Sequence, residues 1–146
     1  MHTHVLTDWR AGKPATLQAV KDYTAATKVP PAPTSTTVFE MMQGFEKAVV
    51  LSGGMTERTK LDMEHARALT RDCIVLPFNE LAAGVAAYVL ARLSQSERNK
   101  HWTDVFIAAT ALAHEYGVAT RNRAHFELIA SHTPPHYPAL RLQIWK

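Results

Sequence analysis

Cysteine is nearly absent from this chain: only one of its 146 residues, Cys73, carries a thiol. A single cysteine forms no disulfide within the chain and lacks the spacing of a cysteine-based metal site, so both kinds of scaffold are excluded. We therefore expect a reducing, cytoplasmic setting. No apolar run approaches the ~18 residues that suggest a membrane span, and no secretion-signal pattern opens the chain. No membrane association and no signal peptide are expected.

Extreme charge and low-complexity segments are also missing. The chain has 16 Lys and Arg residues against 13 Asp and Glu, a net charge of +3, and 47% of its residues are hydrophobic. This composition favours an ordered domain over a disordered one, and the length is sufficient to enclose a core. The slight positive charge permits a polyanionic partner such as nucleic acid without requiring one. We predict a single domain over residues 1–146.

Helical patterns account for most of the chain. Pro14 suits the first turn of a helix, and Leu17, Val20 and Tyr23 then fall on one stripe. Residues 104–116 are apolar on nearly all sides, which predicts an interior helix closed by Gly117. Further helices are predicted from Thr37 to Ser52, from Thr56 to Asp72, from Glu80 to Leu93 behind an Asn79 cap, and from His125 to Ile129. The polar residues 94–101 are predicted to form a loop.

Short apolar runs between these helices predict strands at residues 73–76, 118–120 and 140–145. Residues 29–34 contain three prolines, which lack backbone donors, so an irregular or edge-like strand is expected there. Strands that alternate with helices favour a parallel sheet. The predicted fold class is a three-layer α/β/α domain with a mainly parallel sheet.

Several polar side chains follow predicted strands or open the helices after them. His2 and Thr3 lie at the start, Glu40 and Asp104 in early helical turns, and Asn122 after the strand at 118–120. Ligand sites of parallel sheets collect at the carboxyl ends of the strands, so these residues are expected to converge. Carboxylates held together favour a divalent ion such as Mg²⁺ or Mn²⁺, which keeps positions for water and phosphate oxygens.

Each of these residues also has an ordinary structural interpretation. Glu40 and Thr37 have the spacing of a capping box, and Asp104 suits the positive end of a helix dipole. Asn122 is typical of a turn. His2 and His4 form either a two-histidine metal site or a solvated terminus.

The order and spacing of these segments resemble the PIN-domain endoribonucleases, in particular the VapC-type toxins of bacterial toxin–antitoxin pairs. The most specific match is Asp104-Val105-Phe106-Ile107-Ala108-Ala109-Thr110-Ala111, close to the family's Asp-x-x-Ile-Ala-Ala-x-Ala helix. Residues 35–44 resemble its Ser-x-x-Thr-x-x-Glu-x-x-x-Gly element, residues 76–79 its Leu-Pro-Phe-Asp segment, and residues 119–122 its Val-Thr-Arg-Asn segment. His2-Thr3-His4 stands where the family has Asp-Thr-Asn or Asp-Thr-His.

The resemblance implies an endoribonuclease that uses Mg²⁺ or Mn²⁺, with Glu40 and Asp104 as metal-binding acids and Asn122 beside them in the catalytic site. His2 occupies the metal-ligand position of the family's first acid. Substrate RNA is expected to contact Thr3, Arg10, Arg121 and Arg123. The implied protein partners are a cognate antitoxin and a second copy of the chain in a homodimer.

Two departures from the family pattern leave alternatives open. A histidine replaces the first acid, and almost nothing precedes it, whereas family members carry a central strand there. Either the true start lies upstream, or the sheet is built with a truncated first strand. The function is correspondingly either RNA cleavage, or RNA or antitoxin binding by a catalytically impaired PIN-like module. A receiver-like domain would need an acidic pair after the first strand and a lysine after the last, and neither is present.

Overall fold

The computed structural model describes residues 1–145 as a predominantly helical α/β chain. Its seven helices are α1 (Thr3–Arg10), α2 (Pro14–Thr27), α3 (Ser35–Leu51), α4 (Glu57–Arg71), α5 (Glu80–Arg92), α6 (Gln95–Ala113) and α7 (Arg123–Ala130). Its two strands within this range are β1 (Val118–Thr120) and β2 (Leu142–Ile144). The predicted helices at Pro14, Thr56 and Asn79 and the strand at 118–120 are confirmed.

Short polar side chains set where most of these helices begin. Thr56 and Asn79 accept hydrogen bonds from the backbone N–H groups of Thr59 and Ala82, as their sequence positions predict. The cap of α3 is Thr34, whose hydroxyl accepts from the Thr37 N–H. The predicted capping box of Thr37 and Glu40 is therefore wrong, because Thr37 already lies inside the helix. Glu40 is left for another role.

The loop predicted at residues 94–101 is also wrong, because Ser94 caps α6 and residues 95–101 form its first two turns. Ser94 and Glu97 make a complete capping box, in which the Glu97 carboxylate accepts from the Ser94 N–H at 2.8 Å. The Arg98 guanidinium donates to the Leu93 carbonyl oxygen at 2.8 Å, which ties this polar turn to the end of α5. Local polar contacts thus stabilise the turn without an apolar stripe.

The sheet is smaller than predicted. Within residues 1–145, β1 and β2 pair in parallel, with Val118 opposite Leu142 and Thr120 opposite Ile144. The strand predicted at 73–76 contributes only an isolated parallel bridge between Leu76 and Thr34. A physical reason is that residues 30, 31 and 33 are prolines, which cannot donate to a ladder. The mainly parallel sheet of a three-layer domain is thereby reduced to two strands.

The N-terminal segment lies directly against this sheet. The backbone N–H of His2 donates to the Ala119 carbonyl oxygen at 3.0 Å, and α1 begins at the next residue. The Met1 amino group is buried and donates to the Ala32 carbonyl oxygen at 3.1 Å. Burial lowers the pKa of this amine to about 5. His2 and Thr3 are consequently fixed beside the carboxyl end of β1.

Apolar side chains pack in two clusters, one around α5, α6 and α7 and one around α1, α3 and α4. Helix α6 has more buried residues than any other described helix, and Ile107 within it is fully buried. The interior helix predicted from residue 104 onward is confirmed for the C-terminal half of α6, where most residues from Asp104 to Leu112 are buried. No helix among residues 1–145 is long and apolar enough to cross a membrane.

Candidate metal centre

Asp104 lies at the centre of a group of three histidines. Its Oδ1 is 3.0 Å from Nε2 of His2, and its Oδ2 is 3.0 Å from Nδ1 of His125. Nδ1 of His101 lies 3.7 Å from the same Oδ2. Asp104, His2 and His101 are all buried, whereas the His125 side chain is 29% exposed. The carboxylate is therefore approached by imidazoles on both of its oxygens.

Different elements of the fold carry these four side chains. His101 and Asp104 stand three residues apart on α6, a spacing that places them on one face of the helix. His2 precedes α1 and is held beside β1, where its Nδ1 is 3.3 Å from the Thr120 hydroxyl. His125 lies in the first turn of α7, which packs against α6. The cluster forms where the N-terminal segment, α6 and α7 meet.

The surroundings of Asp104 favour its charged form. Burial by itself would raise the pKa of Asp104, but hydrogen bonding and charge from His2, followed by the same contributions from His125, hold that pKa below its ordinary value. The pKa of His101 is lowered, mainly by burial and then by the charge of His125. A negative carboxylate thus faces a neutral imidazole near pH 7, which is the protonation state that metal ligands need.

Glu40 is held by the residue next to His2. The Thr3 hydroxyl donates a hydrogen bond to Oε2 of Glu40. Adjacent residues of one segment therefore contact the two acids that the sequence predicts as metal ligands. Burial, followed by the charges of His2 and Arg121, lowers the pKa of His4. The charges of Glu40 and Asp104 oppose this shift. Both carboxylates lie within electrostatic range of this same histidine.

Asn122 caps α7 and contacts His125. Its Oδ1 accepts from the His125 N–H at 3.5 Å, and its Nδ2 is 2.6 Å from Nδ1 of His125. The Asn122 N–H donates to the Thr120 hydroxyl at 2.9 Å. Asn122 is thus placed next to the Asp104 cluster, with His125 between them.

Each arginine predicted to bind phosphate is paired with an acid. Arg10 contacts Asp62 at 3.0 Å and lies over the Phe45 ring. The other two pairs are Arg121 with Asp8 at 3.1 Å and Arg123 with Glu127 at 2.7 Å. The exposed fractions of the three side chains are 17% for Arg10, 43% for Arg121 and 69% for Arg123. Arg121 and Arg123 are therefore the more accessible to a polyanion.

The roles of His101 and His125 were not predicted from the sequence. Among residues 1–145, one group of three potential metal ligands has donor atoms within 4.8 Å of one another, and it consists of His101, Asp104 and His125. The i, i+3 spacing of His101 and Asp104 was an available signal. It was missed because residues 94–101 were interpreted as a loop. His125 reaches the group only through the packing of α7 on α6.

Neither family models nor curated proteins match this chain. Solved structures do match. One chain of VapBC2 from Rickettsia felis, crystallised bound to a DNA fragment from their promoter, is 15% identical with a TM-score of 0.68, covering 99% of this chain and 96% of that chain. A chain of DNA-bound VapBC from Salmonella typhimurium is 17% identical with a TM-score of 0.65, covering 96% and 91%. The chain has a VapC-like fold. The resemblance predicted from the sequence is confirmed at the level of the fold.

Proposed function

We propose that this protein is a metal-dependent endoribonuclease that hydrolyses RNA phosphodiester bonds, and that it acts as the toxin of a toxin–antitoxin pair. One observation carries the proposal: His2 contacts Asp104, and the next residue, Thr3, contacts Glu40. Two acids far apart in sequence are thereby directed to one end of β1. The VapC-like fold supports the same function.

The residues around Asp104 favour some ions over others. Imidazole is a poor ligand for Mg²⁺, which prefers oxygen, and a better one for Mn²⁺ and softer ions. The imidazoles beside Asp104 therefore suit Mn²⁺ better than Mg²⁺, and we propose that Asp104, Glu40 and His2 would hold Mn²⁺. A bound ion supplies an activated water and stabilises charge on the phosphate. Asn122 then lies beside the ligands, and Thr3 orients the Glu40 carboxylate.

The exposed rim supplies the contacts to RNA. Arg121 and Arg123 present guanidinium groups near the N-terminus of α7, where phosphate oxygens are also favoured by the helix dipole. Arg10 is largely covered by its contacts with Asp62 and Phe45. We propose that Arg121 and Arg123 contact phosphates directly. Arg10 would contribute mainly by long-range electrostatic attraction of the RNA backbone.

A protein antitoxin and a second copy of the chain are the proposed protein partners. The two solved structures named above are VapBC bound to DNA, which supports an antitoxin partner. Exposed apolar side chains, Leu61 on α4 and Leu81 on α5, support a homodimer. Light scattering at micromolar concentration should give the mass of a dimer, and a purely monomeric protein would contradict this part of the proposal.

The proposal is tested by cleavage of single-stranded RNA with Mn²⁺ and with Mg²⁺. We expect faster cleavage with Mn²⁺, loss of cleavage in Asp104→Asn, and a strong reduction in Glu40→Gln. The matched control is Glu46→Gln, an exposed acid on the same helix as Glu40, which should cleave like the original chain. Cleavage that survives Asp104→Asn, or no cleavage with either ion, would refute the enzyme.

A second function is favoured by one observation. Both oxygens of Asp104 and Oε2 of Glu40 already have partners within the protein. A chain that holds these partners permanently would bind RNA or an antitoxin peptide without cutting RNA. RNA that is bound but stays intact with both ions would support this binding module.

A further inference from the structure

His101 carries a buried nitrogen that has no hydrogen-bond partner. The residue is 5% exposed, and its Nδ1 has no donor or acceptor within hydrogen-bonding distance. A buried polar atom left without a partner costs about 1–3 kcal/mol. This atom faces Oδ2 of Asp104 at 3.7 Å, too far for a hydrogen bond. A third group that contacts both the nitrogen and the carboxylate would satisfy this atom.

Nδ1 of His125 has two neighbours that require opposite states of it. Nδ2 of Asn122 is a donor at 2.6 Å, and Oδ2 of Asp104 is an acceptor at 3.0 Å. A ring nitrogen has either a lone pair or a proton, so it satisfies only one of the two. A flip of the Asn122 amide would remove the hydrogen bond that Oδ1 of Asn122 accepts from the His125 backbone N–H. If Nδ1 presents its lone pair, that lone pair and Oδ2 of Asp104 repel each other. A cation bound by both atoms would remove this repulsion and would take the place of the Asn122 contact.

We propose that His101, Asp104 and His125 bind a divalent transition-metal ion of the zinc type. Two imidazole nitrogens and one carboxylate oxygen form a recurrent donor set of zinc sites, and they leave a position for water or another ligand. Bonds of about 2.0–2.1 Å in a tetrahedral site place ligand atoms roughly 3.3 Å apart. The three donor atoms lie within 4.8 Å of one another, so small side-chain rotations bring them into that range.

The surroundings of the three ligands fit this assignment. His2 contacts Oδ1 of Asp104, whereas the other two histidines lie near Oδ2, and His2 can thereby orient the carboxylate. The partly exposed His125 marks the side from which an ion enters. Glu40 lies outside the group of three. The inference goes beyond the proposed function because it does not require RNA cleavage. The two sites share Asp104, but this one uses His101 and His125 in place of Glu40 and His2.

The test is metal binding by the full chain without a polyhistidine tag, after removal of metals with a chelator. Zn²⁺ affinity is measured by calorimetry, and Co²⁺ is used as a visible probe of nitrogen-containing tetrahedral coordination. We expect one Zn²⁺ per chain. His101→Ala, His125→Ala and Asp104→Asn should each weaken Zn²⁺ binding at least ~10-fold, the lower bound for losing even an outer partner of a metal site.

Three further variants make the result specific. His65→Ala, an exposed histidine on α4, should bind Zn²⁺ like the original chain. His4→Ala tests whether the N-terminal histidines hold the ion instead, and Glu40→Gln tests a site made by the two acids. Zn²⁺ binding that depends on His4 or Glu40 but not on His125 would overturn the inference. So would the absence of Zn²⁺ binding, whether or not the chain cleaves RNA with Mn²⁺.

His125→Ala is the decisive variant because this side chain is the least buried of the three. Its thermal unfolding without metal should match that of the original chain within a few degrees. Loss of Zn²⁺ binding in a folded His125→Ala protein supports the site. Retained binding in that protein refutes it.

Discussion

The carboxylate of Asp104 and the imidazole of His2 are joined by a 3.0 Å contact between Oδ1 and Nε2, although one lies in α6 and the other precedes α1. An imidazole thus occupies the position beside Asp104 where the PIN-domain pattern implies a second carboxylate. The pair needs no cation to offset repulsion, whereas two carboxylates would. We therefore expect the residue at position 2 to set how strongly the proposed site requires a hard ion.

The variant His2→Asp should make the protein depend on Mg²⁺. Two acids in contact repel each other, so the variant should unfold at a lower temperature than the original chain when metals are removed. Mg²⁺ should raise its melting temperature, because an ion that binds only the folded state stabilises it. Mg²⁺-dependent cleavage of single-stranded RNA should rise as well. Thermal unfolding with chelator and with Mg²⁺ measures the effect.

The neutral variant His2→Asn is the control for this experiment. It removes the imidazole without adding a charge, so Mg²⁺ should leave its melting temperature unchanged. If His2→Asp shows no more response to Mg²⁺ than His2→Asn, then position 2 does not contribute to an ion site.

Replacing Ile107 with Ala should destabilise the fold strongly. Ile107 is fully buried in the cluster around α6, and such a truncation costs about 2–5 kcal/mol in free energy of unfolding. Urea denaturation followed by circular dichroism measures this change. The control Val50→Ala alters a side chain that is 78% exposed and should change stability by no more than ~0.5 kcal/mol. Equal effects of the two substitutions would show that α6 is not the centre of the core.

The features that sequence predicted best depend on contacts within a few residues. Asn79 and Thr56 cap helices because their side chains reach an N–H only three residues away. The apolar half of α6 was evident because nearly every residue from Val105 onward is hydrophobic. The first turns of α6 were missed because their stability comes from the Ser94–Glu97 capping box rather than from an apolar stripe.

The sheet and the group of side chains around Asp104 depend on contacts between distant segments. Residues 73–76 have the composition of a strand, but the segment beside them contains Pro33, which lacks an N–H, and the pairing stops at one bridge. The group around Asp104 also depends on such contacts. Asp104 was predicted as a metal ligand, but the contact of His125 with Asp104 requires the packing of α7 against α6. Sequence patterns do not specify such packing.

Replacing Asp62 with Asn should give a loss of stability that depends on pH. The hydrogen bond from Arg10, followed by that from Arg58, holds the pKa of Asp62 below its ordinary value of 3.8. A lowered pKa in the folded state means that the charged carboxylate stabilises the protein above the ordinary value and loses this effect as the pH falls through the lowered value. The variant should therefore be less stable than the original chain at pH 7, with the difference shrinking below pH 3.8.

Urea denaturation at several pH values measures this difference. The control Asp22→Asn changes an exposed acid whose partner is the neutral side chain of Gln18. Its effect should be smaller at pH 7. A difference for Asp62→Asn that stays constant down to pH 2.5 would show that the ion pair with Arg10 does not stabilise the fold.

Replacing Arg121 with Ala should weaken RNA binding without unfolding the protein. Arg121 is 43% exposed, and its partner Asp8 keeps a second cation, Lys13, at 2.6 Å. The fold should therefore tolerate the change. The slope of log affinity against log salt concentration is negative, and losing one phosphate contact on a single strand reduces its magnitude by about 0.7. This loss of affinity should be the same for all RNA sequences. Binding is measured by fluorescence anisotropy in the Asp104→Asn background, where RNA is expected to stay intact.

The matched control is Arg71→Ala, an exposed arginine at the end of α4, which should leave the slope unchanged. Equal slopes for Arg121→Ala and Arg71→Ala would remove Arg121 from the RNA-binding surface.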